Sequence, residues 1–451
     1  MTRSLLILPI EERNRELDSR VLIALNAIAA GFDVIIGQQW EIFARLADLP
    51  ASIVLFKGNN AAQAEHMVTA KRAGHFVCSI EEEVLAVKDD REVLRCYHAT
   101  ARSALDLIFV QGSRQADLLR DYWPEAKGRI ATVGNPRADL LRADGVETQG
   151  GDDLGEAARA LKRRHGSFVL FNTNIASINP RIDDVYGYFE LCVRVGVMDP
   201  NDPDDMRLLH RQFLWEREIF AAITTLAMRL AADGVPVVMR PHPSENAEIW
   251  QRHLAGIPGL EVIREGSQVD WLKASSLLVH SGCTTGLEAF LLGHPVLALT
   301  PGQFDFHDFF ISNLVSESFA SVDTARQAIH DHLGGARRLD SDREAKSISL
   351  APFLLQSPDK TAAARIVEHL AGARSNGAAT KATRSEELIM ATRTHLSDRR
   401  FSKAGFDRED ILASVRSSAR LATSLSAPVI TELGPLIFHL GARSDGLVRN
   451  G

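Results

Sequence analysis

Four cysteines, at positions 78, 96, 192 and 283, are too few and too scattered in 451 residues for a disulfide framework. None stands in the CxxC spacing of a zinc or redox site, so a reducing compartment is expected. Positive charge is also short. A formal net charge of -7 leaves no whole-molecule field to hold nucleic acid, and nucleic-acid binding is set aside. Long apolar runs are missing too. The opening run Leu5–Pro9 meets Glu11, Glu12 and Arg13 at once, too soon for a signal peptide or a membrane span. The expected location is cytoplasmic, with contact to the inner membrane at most peripheral.

What is present is ordinary for a globular enzyme: 45% hydrophobic and 24% charged residues, which excludes disordered and fibrous classes. The length exceeds one comfortable core, and two α/β domains are expected. Strand-like apolar runs at Ser4–Leu8, Asp33–Gly37, Ser52–Lys57, His75–Ser79, Leu107–Gln111 and Ile130–Gly134 alternate with helical spacing. Between the first two, Leu17, Val21, Leu22, Leu25 and Ile28 predict a helix over Arg15–Ala30, stopped by Gly31 as a left-handed cap. A Gly- and Asp-rich stretch, Asp144–Gly155, marks a linker. The alternation then resumes at Phe168–Asn172, Pro236–Met239, Leu260–Ile263, Leu277–His280 and Pro295–Leu299, with a long helix over Met206–Ala232.

Two doubly wound halves describe a GT-B architecture, two Rossmann-like domains facing a central cleft, with residues 1–145 and 156–372 as the domains. Residues 373–451, rich in Ala, Ser, Thr and Arg, are expected to be an appended helical or disordered tail, with one helix near Asp410–Leu425. The acidic run Asp199–Asp205 lacks the glycine and the last glutamate of an EF-hand loop and is expected to be a solvated turn.

The strongest local signal is HSGCTTGLE, His280–Glu288, between a strand and an apolar helix. There Ser281, Thr284 and Thr285 offer hydroxyls, and Gly282 and Gly286 let the backbone approach a phosphate. The partial positive charge of a helix start favours such an anion. Glu288, one turn in, could accept from ribose hydroxyls. The plainer alternative is a helix capped by Thr284. A second signal is RPHP, Arg240–Pro243, where two prolines fix His242 beside Arg240 at a strand end. A rigid imidazole and guanidinium suit a phosphate that gathers charge as it departs.

In the first half, Glu81, Glu82 and Glu83 follow a strand, where a carboxylate could serve as proton acceptor; the alternative is a solvated acidic turn. Two weaker clusters open helices at strand ends: RELDSR with Arg15 and Glu16, and GNPRAD with Asn135 and Arg137.

Taken in order, LPIEERNRELDSR, FKGNN, SIEEEV, GNPRADLL, RPHP and HSGCTTGLEAFLLGHP resemble the bacterial surface carbohydrate biosynthesis proteins of capsule and O-antigen loci, over about Leu5–Leu333. The chain is also similar to bacterial sialyltransferases and capsule Kdo transferases, which share an acidic, a His-Pro and a Ser/Thr motif. That resemblance implies Glu81 as general base, with Glu82 as alternative because Glu83 stands where the family has glycine. It implies His242 on the nucleotide phosphate and Ser281, Thr284 and Thr285 as its clamp. The implied activity is transfer of a sugar, most simply a CMP-activated acidic sugar such as Kdo or a nonulosonic acid, to a glycan or lipid-linked glycan acceptor. HSGCTTGLE resembles the donor motif of UDP-sugar enzymes as well. A UDP-sugar transferase, a CDP-glycerol-type phosphotransferase, a nucleotide-sugar epimerase and a non-catalytic binding protein therefore stay open. No cofactor and no metal are expected.

Overall fold

The computed structural model describes residues 4–149, 154–181, 185–194, 196, 198–339, 342–375, 405–422, 427–434 and 436–442. They divide into two compact units, one from Met1–Val84, Val93–Leu140 and Pro352–Gly451, the other from Leu85–Glu92 and Leu141–Ala351.

The first unit is built on parallel strands β1 (Ser4–Ile10), β2 (Phe32–Gln38), β3 (Ile53–Phe56), β4 (Phe76–Ile80), β5 (Leu107–Val110) and β6 (Ile130–Thr132), in the order β2-β1-β3-β4-β5-β6. All of β1 is buried because helices cover both faces, which is why it reads as an unbroken apolar run. After β1 the chain first lays β2 on one side, then returns to lay β3 on the other, so β1 and β3 part at a topological switch point. Helix Arg13–Ala29 makes the first crossover, and Gly31 follows at a φ of 86°, the left-handed turn expected there.

The second unit holds β7 (Val169–Asn172), β8 (Val237–Arg240), β9 (Leu260–Val262), β10 (Leu277–His280), β11 (Val296–Leu299) and β12 (Glu317–Phe319), all parallel, in the order β12-β11-β10-β7-β8-β9. Its switch point lies between β7 and β10. Helix Pro203–Ala232 packs Trp215, Ile219, Ile223, Leu226 and Leu230 into the core formed with these strands. The acidic run is a turn that serves this helix. Asp202 caps it through the Asp204 N–H, and Asp205 accepts from Asp199 N–H at 2.8 Å and from Arg91 at 2.9 Å.

Two boundaries differ from expectation. The stretch expected to be a linker from Asp144 is helical through Gln149, the end of helix Pro136–Gln149; residues 150–153 lie outside the described residues. The C-terminal segment is no appendage where it is described. Helix Ala362–Ser375, helix Arg408–Ser418 and the hairpin β13 (Val429–Gly434) with β14 (Ile437–Gly441) belong to the first unit. β14 pairs antiparallel with β2, and Ile366, Leu370, Ile411, Phe438 and Leu440 share one core with Leu6, Val21 and Val34. Burial of those side chains drives the return, at about 1.5–3 kcal/mol for each large apolar group. Residues 376–404, 423–426, 435 and 443–451 of the expected tail lie outside the described residues. No described helix is long and apolar enough to cross a membrane.

Candidate functional site

Open α/β sheets bind ligands beyond the carboxyl ends of strands at the switch point. In the second unit these are the ends of β7 and β10, joined by Asn174, whose Nδ2 donates to the Gly282 carbonyl at 3.1 Å. Helix Thr284–Leu291 starts here. Its N-cap is Cys283, which makes no side-chain capping bond, so the expected cap Thr284 is instead the first helical residue. The helix start therefore keeps N–H groups that its own side chains do not satisfy. Thr284 and Thr285 are half-buried. Thr285 Oγ1 is shielded from solvent and lies against the Cys283 thiol. Glu288 lies one turn further in and is buried.

Four residues of this motif build the turn. His280 is fully buried, and burial pushes its imidazole down to about 3. As a neutral ring its Nδ1 accepts Gly282 N–H at 3.2 Å, and Nε2 meets Ser316 Oγ at 2.8 Å. Gly286 must be glycine because a Cβ there would stand 2.3 Å from His280 Nε2. Ser281, expected on the phosphate, donates its hydroxyl to the Leu299 carbonyl at 2.6 Å, since it continues the buried strand direction of β10. Gly282 takes a φ of 82° against the Phe310 ring, where a Cβ would be 2.6 Å away.

At the end of β8 the two members of RPHP separate in role. Arg240, expected on the phosphate, is spent on its own loop: Nη1 donates to Glu265 O at 2.6 Å and Nη2 to Gly266 O at 3.0 Å. Its Nε reaches Gln268 at 3.3 Å, and the guanidinium lies 5.1 Å above the Trp271 ring. Burial lowers its pKa to about 10, and the guanidinium stays charged. His242 is half-buried, and its Nδ1 accepts Ser244 N–H at 3.2 Å. That bond puts the proton of the neutral ring on Nε2.

Two carboxylates beneath these loops escape sequence reasoning. Glu245 is fully buried and accepts from His242 N at 3.2 Å, Ile175 N at 3.2 Å, Thr173 Oγ1 at 2.8 Å and Trp250 Nε1 at 2.7 Å. It thereby fastens the loop after β8 to the loop after β7. Glu216, from the long helix, holds the same β7 loop through Ser177 N and Ile178 N at 3.0 and 3.1 Å, and burial pushes it up to about 7. RPHPSE contains Glu245, yet nothing in its spacing separates it from a surface glutamate.

In the first unit, Glu81 is buried with its Oε2 accepting both Asn59 N at 2.6 Å and Asn59 Nδ2 at 3.2 Å. Its backbone carbonyl takes Gln111 Nε2 at 2.7 Å, and Gln111 Oε1 receives Asn135 Nδ2 at 3.2 Å. Glu82 pairs with the wholly buried Arg20 at 3.1 Å. Arg15 is exposed, and its carbonyl accepts Arg137 Nη1 at 2.7 Å. Glu16 is buried beside Lys57, which sequence reasoning did not single out.

No protein-family model matches the chain, and no curated protein matches it. Solved structures do. The chain is similar to MnaA of S. aureus, solved with UDP, at 15% identity and a TM-score of 0.50, covering 85% of this chain and 99% of that one. It is also similar to a Listeria monocytogenes protein assigned as a UDP-N-acetylglucosamine 2-epimerase, at 13% identity and a TM-score of 0.52, covering 83% and 97%. These likenesses span both units and agree with the GT-B-like fold expected from the strand order.

Proposed function

We propose that this chain is a nucleotide-sugar-dependent glycosyltransferase of surface polysaccharide synthesis. The observation that carries the reading is the uncapped start of helix Thr284–Leu291 at the β7/β10 switch point, close in topology to His242 at the end of β8. First-turn N–H groups and the Thr284 and Thr285 hydroxyls receive the donor phosphate, and His242 Nε2–H donates to it as the sugar departs. Glu288 meets the ribose. Arg240 and Glu245 hold the loops that present these groups. A carboxylate accepts the proton of the attacking hydroxyl. The donor is a CMP-linked acidic sugar or a UDP-linked sugar, and MnaA's being solved with UDP favours the second.

An epimerase is the second reading, favoured by the named activity of the Listeria protein of like fold. Calorimetric titration with CMP, CDP, UDP and GDP tests the shared premise, since one nucleotide should bind well above the others. Binding of none would end both readings. Product analysis then separates transfer from epimerisation: transfer consumes a glycan acceptor and releases nucleotide, whereas epimerisation returns an isomeric nucleotide sugar.

A further inference from the structure

The second unit includes one short piece from early in the chain, Leu85–Glu92, which lies in sequence between β4 and β5. It reads LAVKDDRE, apolar residues first and charges after, and each half is fastened within the second unit in its own way. Val87 makes an antiparallel bridge with Phe310, and the Lys88 N–H donates to the Phe309 carbonyl at 2.7 Å. Asp89 Oδ1 then accepts Arg91 N–H at 3.0 Å and Glu92 N–H at 3.1 Å, a local turn from which Arg91 reaches Asp205 at 2.9 Å. Backbone pairs at one end and an ion pair at the other make the piece a strap.

Phe310 is also the wall of the phosphate turn. Gly282 stands so close to its ring that a Cβ there would be 2.6 Å away. One helical turn on, Asn313 Oδ1 accepts the Gly282 N–H at 3.2 Å while its Nδ2 donates to the His307 carbonyl at 2.9 Å. The Phe310 ring stacks on Trp215 at 5.5 Å, and Trp215 is buried in the core of this unit. Phe310 therefore meets the strap through its backbone and the turn through its ring. Close-packed groups leave no slack between such contacts, so a shift at one is felt at the other.

We infer that Leu85–Glu92 positions the phosphate turn through Phe310, so that nucleotide binding and attachment of the strap support each other. The inference rests on the reading above, in which the turn takes the donor phosphate. Val87 and Lys88 are positioning residues that act on the turn through Phe309 and Phe310. Coupling between two sites is reciprocal: a strap that firms the turn for a nucleotide is itself firmed when the nucleotide binds. Asp90 and Arg91 are exposed and Val87 and Lys88 half-buried, so the strap opens locally more readily than the buried strands and has room to be firmed.

The experiment titrates the full chain with UDP and with CMP and follows amide hydrogen exchange of the Leu85–Glu92 peptide by mass spectrometry. It compares wild type with Lys88→Pro, Lys88→Ala, Phe310→Ala and Gly282→Ala. Lys88→Pro removes the N–H that holds Phe309, and affinity for the nucleotide that binds should fall about fivefold or more. Lys88→Ala keeps that N–H and loses only an exposed charge, so its affinity should stay within about twofold of wild type. In the wild type, saturating nucleotide should slow exchange of the strap by the factor that Lys88→Pro costs in affinity. Phe310→Ala removes the ring shared by strap and turn, and nucleotide that still binds should no longer slow the exchange. A merely structural strap would lower the melting temperature in Lys88→Pro and show no protection that depends on ligand. Wild-type affinity in folded Lys88→Pro, or a bound nucleotide that leaves wild-type strap exchange unchanged, overturns the inference. If Lys88→Pro does not fold, the wild-type protection and its loss in Phe310→Ala carry the test. If the wild type binds neither nucleotide, the transferase reading fails by itself and Gly282→Ala decides the coupling. Its methyl displaces the Phe310 ring, so strap exchange in the ligand-free protein should quicken, and an unchanged rate overturns the coupling as well.

Discussion

The Glu245 carboxylate accepts the backbone N–H of His242 at 3.2 Å, so a residue that never reaches the surface decides where the imidazole stands. Glu245→Ala leaves four donors unpaired in the interior. A loss of about 3 kcal/mol or more of stability is expected by urea unfolding, with nucleotide affinity falling too. His242→Ala separates the two effects. It should weaken nucleotide binding with the melting temperature nearly unchanged, and an unaltered affinity by calorimetry would remove His242 from the site.

Thr285→Val replaces a buried hydroxyl whose contact is with the weakly hydrogen-bonding Cys283 thiol by a group of the same shape. The ligand-free protein should lose no stability. Nucleotide affinity should fall by the worth of one hydrogen bond to a charged group, about 1.5 to 3 kcal/mol, or roughly ten- to hundredfold. A drop in melting temperature without a drop in affinity would give Thr285 a structural role instead.

Gly286→Ala tests the packing under the same turn. The new methyl would meet the His280 ring, which is locked between Gly282 N–H and Ser316. Overpacking of this kind costs about 1 to 3 kcal/mol, so the melting temperature should fall by several degrees, and nucleotide binding should weaken as the turn shifts.

Stability should also depend on pH in an unusual sense. Glu16 and Glu216 are both pushed by burial from 4.5 to about 7. Between those values the folded protein keeps protons that the unfolded chain has released, so raising the pH through this window lowers stability. The share of each group is on the order of 3 kcal/mol at most. Melting temperature measured from pH 5 to 8 should decline, and Glu216→Gln should flatten the decline while lowering the whole curve. A rise over that range would contradict the burial argument.

The central parallel strands are legible because they are buried on both faces and stand as short apolar runs between helices. β12 escaped because its residues Glu317–Phe319 are only half-buried at the sheet edge. β14 escaped because its partner β2 lies at the other end of the sequence, where local pattern carries no information. HSGCTTGLE is legible as a strand, turn and helix start, yet the turn's small polar residues give no sign that Ser281 spends its hydroxyl on the Leu299 carbonyl. Arg240 and Glu245 show the same limit. Charged residues at a strand end announce a loop of interest, but only tertiary contact tells which of them holds the loop and which is held out from it.

The hairpin β13–β14 has a consequence for how the molecule is made. The ribosome releases the first unit's parallel strands before the second unit's sheet and the segment that covers β2 after it. Until that segment emerges, the nascent chain carries an open sheet edge and part of an uncovered core, whereas the second unit has its whole sheet already synthesised. A stalled or truncated product should therefore be a target for chaperones and proteases through its amino-terminal half, although the missing residues lie at the opposite end.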